Sequence, residues 1–201
     1  MAYNPKDYYF HKAKKDNYAA RAVFKIQEID ARFKIIRPGD QVLDLGAAPG
    51  SWSQYCSQKV GPKGRVMGID LQPIKITLPN ALFIAADMRE LDLDLKMTEL
   101  GISPPFQVVL SDMAPKTTGI KITDQARSFE LCELALTTAE RFLKAKGNFV
   151  AKLFHSDDFE TFRKMLQARF KKVEVLRPQS TRKESKEIFL IAIDYQGSKS
   201  T

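Results

Sequence analysis

The stretch Val42-Leu43-Asp44-Leu45-Gly46-Ala47-Ala48-Pro49-Gly50-Ser51-Trp52-Ser53 decides how the chain folds. An apolar run ending in an acid and a turn of small residues predicts a buried strand that feeds a ligand loop. Gly46 and Gly50 carry no Cβ, so a nucleoside can approach the backbone closely there. Asp44, at the strand end, is placed to accept hydrogen bonds. Strand, turn and helix also occur in α/β domains that bind nothing at this point, and the nearer rival is a dinucleotide site. Laid over Gly-x-Gly-x-x-Gly, the loop puts Gly46, Ala48 and Ser51 at the glycine positions, so two of the three are missing from the fingerprint that seats a pyrophosphate. The loop therefore reads as a nucleoside site without a phosphate clamp. S-adenosylmethionine (SAM) is the commonest such ligand.

The 201 residues, 44% of them apolar, suffice for a full core and fit one domain over 1–201, with residues 1–40 as a basic helical segment packed on it. No run of 18 apolar residues occurs, and the N-terminal residues lack the apolar centre of a signal peptide. A cytoplasmic protein with no membrane partner is expected. Cys56 and Cys132 sit in helix-like contexts without Cys-x-x-Cys spacing, which predicts buried free thiols rather than a metal site or a disulfide.

The net charge of +8 is unevenly spread: residues 1–40 carry +4, residues 163–186 carry +7, and the remainder is mildly acidic. Lysines on a solvated surface often account for one such block. Two blocks in the terminal segments point instead to a polyanion gripped by the ends of the chain, with a pocket between them.

Along the chain, Asn17 is a candidate helix cap, followed by Ala22, Ile26, Ile29 and Phe33 on one apolar face. Lys25 lies beside that face, and taken alone it is expected to point outward. Strands are predicted at Gln41–Leu45, Arg65–Asp70, Ala81–Ala86, Phe106–Ser111, Asn148–Leu153, Val173–Leu176 and Ile188–Ile193. Helices are predicted over Trp52–Val60, from a cap at Asp124 to before Gly147, and over 157–169. The loop between the last two strands is too short for a helical crossover, so they should pair antiparallel. The expected fold class is α/β: a mostly parallel seven-stranded sheet with helices on both faces and an antiparallel C-terminal edge hairpin.

Ligands in open α/β sheets lie at the carboxyl ends of strands, and Asp44, Asp70, Asp87, Asp112 and Lys152 all arrive there. Asp44, Asp70 and Asp87 are expected to hold the amino-acid, ribose and base parts of SAM, which leaves Asp112 and Lys152 for chemistry. A lysine inside the apolar run Val150-Ala-Lys-Leu153 is expensive to bury unless it is paired or used. His11 and His155 are far apart, and no cluster of His and Cys suggests a catalytic metal.

These residues carry a family resemblance. Asp44-Leu-Gly-Ala-Ala-Pro-Gly-Ser-Trp-Ser-Gln-Tyr55, Ser111-Asp-Met-Ala-Pro115 and Arg21-Ala-Val-Phe-Lys25 resemble the FtsJ-type family of SAM-dependent ribose 2′-O-methyltransferases, over nearly the whole chain. The resemblance implies a Rossmann-like methyltransferase fold and a catalytic tetrad of Lys25, Asp112, Lys152 and Glu187. It also implies cofactor contacts at Gly50, Trp52, Asp70, Asp87 and Asp112, beside the Asp44 and Gly46 of the loop. The family often has a second glycine after Pro-Gly, where this chain has Ser51.

The substrate implied is RNA, with large-subunit ribosomal RNA, free or within the subunit, as the leading choice and a uridine as the target. Transfer RNA is the alternative within the family, and a SAM- or RNA-binding assembly factor without activity is the alternative outside it. An amine removes a hydroxyl proton only when it is neutral, a form favoured by desolvation and by neighbouring positive charge. Lys152 is thus expected to serve as the base, with cationic stabilisation of the alkoxide as its other possible role.

Overall fold

The computed structural model describes residues 5–182 and 184–197. Its elements are α1 (Pro5–Lys15), α2 (Val23–Phe33), β1 (Gln41–Leu45), α3 (Ser51–Val60), β2 (Arg65–Asp70), β3 (Ala81–Ala85), α4 (Leu93–Glu99), β4 (Phe106–Ser111), α5 (Lys121–Phe142), β5 (Leu143–Phe154), α6 (Phe159–Gln167), β6 (Phe170–Leu176) and β7 (Glu187–Tyr195). The strands form one sheet of order β3-β2-β1-β4-β5-β7-β6. All its neighbours pair parallel except at β7, which runs antiparallel to both β5 and β6. The last strand is therefore inserted inside the sheet, and β6 is the edge.

Alternation along the strands divides the core in two. Leu43, Leu45, Val109, Phe149 and Ala151 face α4, α5 and α6, packing on Met97, Ala135, Leu136, Phe162 and Leu166. Val42, Val108, Leu110, Val150 and Phe189 face α2 and α3, packing on Ile26, Ile29, Trp52, Cys56 and Val60. Asp44, Asp112 and Lys152 keep step with the second set, so all three point to the side of α2 and α3.

Two expected helix caps are not caps. Asn17 closes α1, with a left-handed φ of 58°. Its N–H donates to Lys14 O, and Tyr18 N–H reaches back to Ala13 O, the pattern that ends a helix at a left-handed residue. Asp124 lies a full turn inside α5, whose N-cap is Ile120. β5 begins at Leu143, earlier than expected, because Leu143 pairs with Phe106 before the ladder resumes at Val108 and Asn148. α1 falls within the helical segment expected over 1–40, whereas the short α4 is not among the expected helices.

Candidate active site

Gly46 adopts φ +77°, and a Cβ there would stand 2.7 Å from the backbone nitrogen of Met113. Gly50, at φ +107°, caps α3, and a Cβ on it would collide with the Ile76 side chain. The loop thus has walls on two sides: the turn after β4, and the connection 71–80, whose Ile74 and Ile76 lie over Gly50. The apolar alternation Ile74, Ile76, Leu78 was the available signal for that second wall.

The acids at the strand ends divide by environment. Asp70 accepts the Ala48 N–H at 3.0 Å and the Gln72 N–H at 2.8 Å, so it ties β2 to the glycine loop while remaining partly exposed. Asp87 accepts the Arg89 N–H at 2.9 Å and lies at the same edge. Asp44 differs: it is wholly buried, and Oδ2 accepts the Ser53 hydroxyl at 2.6 Å. Among the described residues Asp44 Oδ1 has no hydrogen-bond partner. Burial raises the Asp44 carboxyl to about 7, against the opposing pull of the Ser53 hydroxyl. Trp52 is also buried; its indole N–H donates to Ala22 O at 2.9 Å and its ring leans on Phe189. From that position only its backbone is free to meet a ligand.

Beside this loop, Lys152 is 6% exposed, its Nζ 2.8 Å from Asp112 Oδ1 and donating to Asp112 O at 2.7 Å. Lys25 points inward, where its Nζ lies 2.7 Å from Glu187 Oε1 and above the Phe189 ring. The outward lysine expected from helix position alone is corrected here: Glu187 and Phe189 on β7 supply a partner that α2 cannot show. Register brings the two pairs together, because Lys152 lies opposite Phe189, and Glu187 precedes Phe189 by two on the same face. All four expected tetrad residues thus lie on one side of the sheet, at the carboxyl ends of β4 and β5 beside the glycine loop.

A family profile described as FtsJ-like methyltransferase matches residues 18–195. The chain belongs to that family. It is 61% identical over 193 residues, 96% of this chain and 98% of the other, to the ribosomal RNA large subunit methyltransferase E of Bdellovibrio bacteriovorus. The protein of the same name from Myxococcus xanthus is 46% identical over 192 residues, 95% of this chain and 90% of that one. A crystal structure assigned as a ribosomal RNA methyltransferase from Plasmodium falciparum superposes with TM-score 0.80 at 26% identity, covering 90% of this chain and all of that one. Aeropyrum pernix fibrillarin, solved with bound SAM, shares the fold with TM-score 0.57 at 18% identity, over 79% of this chain and 68% of that one. As an FtsJ-like methyltransferase, the chain places its glycine loop and lysine pairs at the carboxyl edge of a Rossmann-like sheet.

Among the described residues no helix is long and apolar enough to cross a membrane. Cys56 and Cys132 are both buried free thiols, as expected.

Proposed function

We propose that this chain transfers a methyl group from SAM to a ribose 2′-hydroxyl of large-subunit ribosomal RNA, at a uridine, acting as one methyltransferase unit in the cytoplasm. The observation that carries the reading is the pairing of Lys152 with Asp112 and of Lys25 with Glu187, on one sheet face beside the glycine loop. The names of its relatives favour ribosomal over transfer RNA.

The residues present fit the cofactor: a carboxylate at Asp70, at the strand end beside the glycine loop, with lone pairs to spare, and an unpartnered buried oxygen at Asp44. Gly46, Gly50, Asp70, Asp87 and the backbone at Trp52 would hold it, with Asp44 bracing the loop through Ser53. Bound SAM supplies a methyl group already activated by a sulfonium.

The chain's own work is to orient the ribose and take a proton. A neutral amine has two hydrogens and one lone pair. The Asp112 backbone oxygen accepts a hydrogen bond from the Lys152 amine and its Oδ1 lies 2.8 Å away as the ion-pair partner, so the amine is held at a fixed place, where its lone pair would take the hydroxyl proton. Lys25, anchored by Glu187, adds a positive charge on the same sheet face that would attract the developing alkoxide. RNA is the substrate because the 2′-hydroxyl is both the nucleophile and the group that DNA lacks.

The basic C-terminal block separates in space. Arg177, Arg182 and Lys186 lie at the β6–β7 turn beside Glu187, whereas Lys171 and Lys172 begin β6 at the far end of the sheet. The turn is fastened to α2 and the residues just before it, with Arg21 donating to Ser180 O and the Gln179 N–H donating to Glu28. The RNA-facing charge is therefore the α1–α2 segment together with this turn. The deciding experiment is mass-spectrometric mapping of ribose methylation in ribosomal and transfer RNA from cells with and without the gene. Loss of one 2′-O-methyl uridine from large-subunit RNA is expected; an unchanged ribosomal map would overturn the reading.

A further inference from the structure

The buried stripe of α5 changes character along its length. Its C-terminal half is apolar, with Ala135, Leu136, Ala139 and Phe142 in the core. Its N-terminal half continues the same stripe at intervals of four with Asp124, Ser128 and Cys132, all buried. Buried polar groups are costly unless hydrogen-bonded, so their partners matter. Asp124 accepts from Thr118 N–H at 2.7 Å, Thr118 Oγ1 at 2.9 Å and Gly119 N–H at 3.2 Å, all in the loop that leaves Asp112. Ser128 Oγ accepts the Phe154 N–H at 3.0 Å, and Cys132 Sγ donates to Lys152 O at 3.0 Å.

The strand ends explain why these contacts are needed. β4 pairs with β5 only as far as Ser111 and Ala151, whereas β7 follows β5 on to Phe154. The segment Lys152–Phe154 therefore overhangs its β4 neighbour. The Lys152 carbonyl and Phe154 amide are taken by side chains of α5 instead. Burial pushes the Cys132 thiol up to about 12, which keeps the S–H available as a donor.

We infer that Asp124, Ser128 and Cys132 form a polar seam on α5 that sets the position of Lys152 relative to Asp112, making them positioning residues for methyl transfer. This rests on the proposed function, in which Lys152 and Asp112 carry the chemistry. The seam holds both arms by backbone atoms and touches neither reacting group, so weakening it should alter turnover rather than binding. Displacements well under an ångström at a reacting group suffice for such losses.

The test uses the full chain, SAM with a labelled methyl group, and large ribosomal subunits from cells lacking the gene. Ser128→Ala and Asp124→Ala are expected to lower kcat about tenfold, with KM for subunits and Kd for SAM within about twofold. Cys132→Ala should lower kcat about threefold, and Cys132→Ser, which keeps a donor, should restore it. Variants that are folded at the assay temperature yet keep kcat within about twofold of the parent overturn the inference, as do losses confined to KM. Amide hydrogen exchange at Phe154 and Gly119 needs no substrate. Faster exchange in Ser128→Ala and Asp124→Ala is expected, and unchanged exchange sinks the seam even if the parent proves inactive on these subunits. An inactive parent would count against the proposed function alone.

Discussion

Lys152 is gripped twice by one residue: its Nζ sits 2.7 Å from the backbone oxygen of Asp112 and 2.8 Å from Oδ1 of the same side chain. The backbone half of this grip survives any substitution at 112, and the carboxylate half does not. Guanidinium cannot release a proton in a protein, so Lys152→Arg keeps the charge and removes the proposed base. Turnover should fall by about 10²-fold or more while SAM affinity, read by calorimetry, stays within about twofold. Substantial turnover by Lys152→Arg with RNA bound normally would move the role of Lys152 to electrostatic stabilisation.

Asp44 gives the fold an acid-side slope of unusual sign. Its carboxyl is raised to about 7 by burial, above the ordinary ~3.9 of an unfolded chain. Between those values the native state keeps a proton that the unfolded state has lost, so this group makes stability fall as pH rises through the window, by at most ~1.4 kcal/mol per unit, and levels off above it. Asp44→Asn removes the titration. Urea unfolding at pH 4.5, 6 and 8 should show the variant gaining on the parent as pH rises to about 7 and no further. A stability difference independent of pH would refute the assignment.

Asp30, 1% exposed, joins three segments. It accepts the Ile36 N–H at 3.0 Å and the Tyr55 hydroxyl at 2.7 Å, with Lys59 Nζ at 3.3 Å. Burial, reinforced by the carboxylate, raises the Tyr55 hydroxyl and keeps it a donor. Asp30→Ala leaves buried donors unanswered and should destabilise by about 2–4 kcal/mol, against about 1 kcal/mol for Tyr55→Phe. Denaturant midpoints check the ratio, and equal losses would show that Asp30 matters only through Tyr55.

Charge reversal should separate the two halves of the basic block. Arg182→Glu with Lys186→Glu, at the turn beside Glu187, should weaken RNA binding and flatten its salt dependence. Lys171→Glu with Lys172→Glu, at the far end of an edge strand roughly 20 Å long, should change neither much. Lys183, which the sequence groups with them, lies outside the described residues. Equal effects from both pairs would mean that RNA wraps the sheet edge.

The fold was legible because its signals are local: apolar runs ending in acids, punctuated by Pro-Gly and Gly-Pro, mark β1, β2 and β4 to the residue. The four residues expected to form a tetrad were singled out through motif resemblance, whereas their pairing in space was not legible. Nothing near Lys25 in sequence announces Glu187, which lies 162 positions away and reaches it only through the insertion of β7. Asn17 and Asp124 are good capping residues by type, but type does not say which end of a helix, or which side of a turn, the side chain serves. Asp44 was expected at the ligand from its place at a strand end; its full burial and its hydrogen bond from Ser53 were not legible.

The placement of β7 carries a consequence for biosynthesis. Synthesis runs from the amino end, so the helix bearing Lys25 and the strand bearing Lys152 emerge before the strand that lies between β5 and β6. Until that strand arrives, Lys25 lacks Glu187, Trp52 lacks Phe189, and β5 has one open edge. The glycine loop is thus synthesised early, and the β7 partners of Lys25 and Trp52 only near the end.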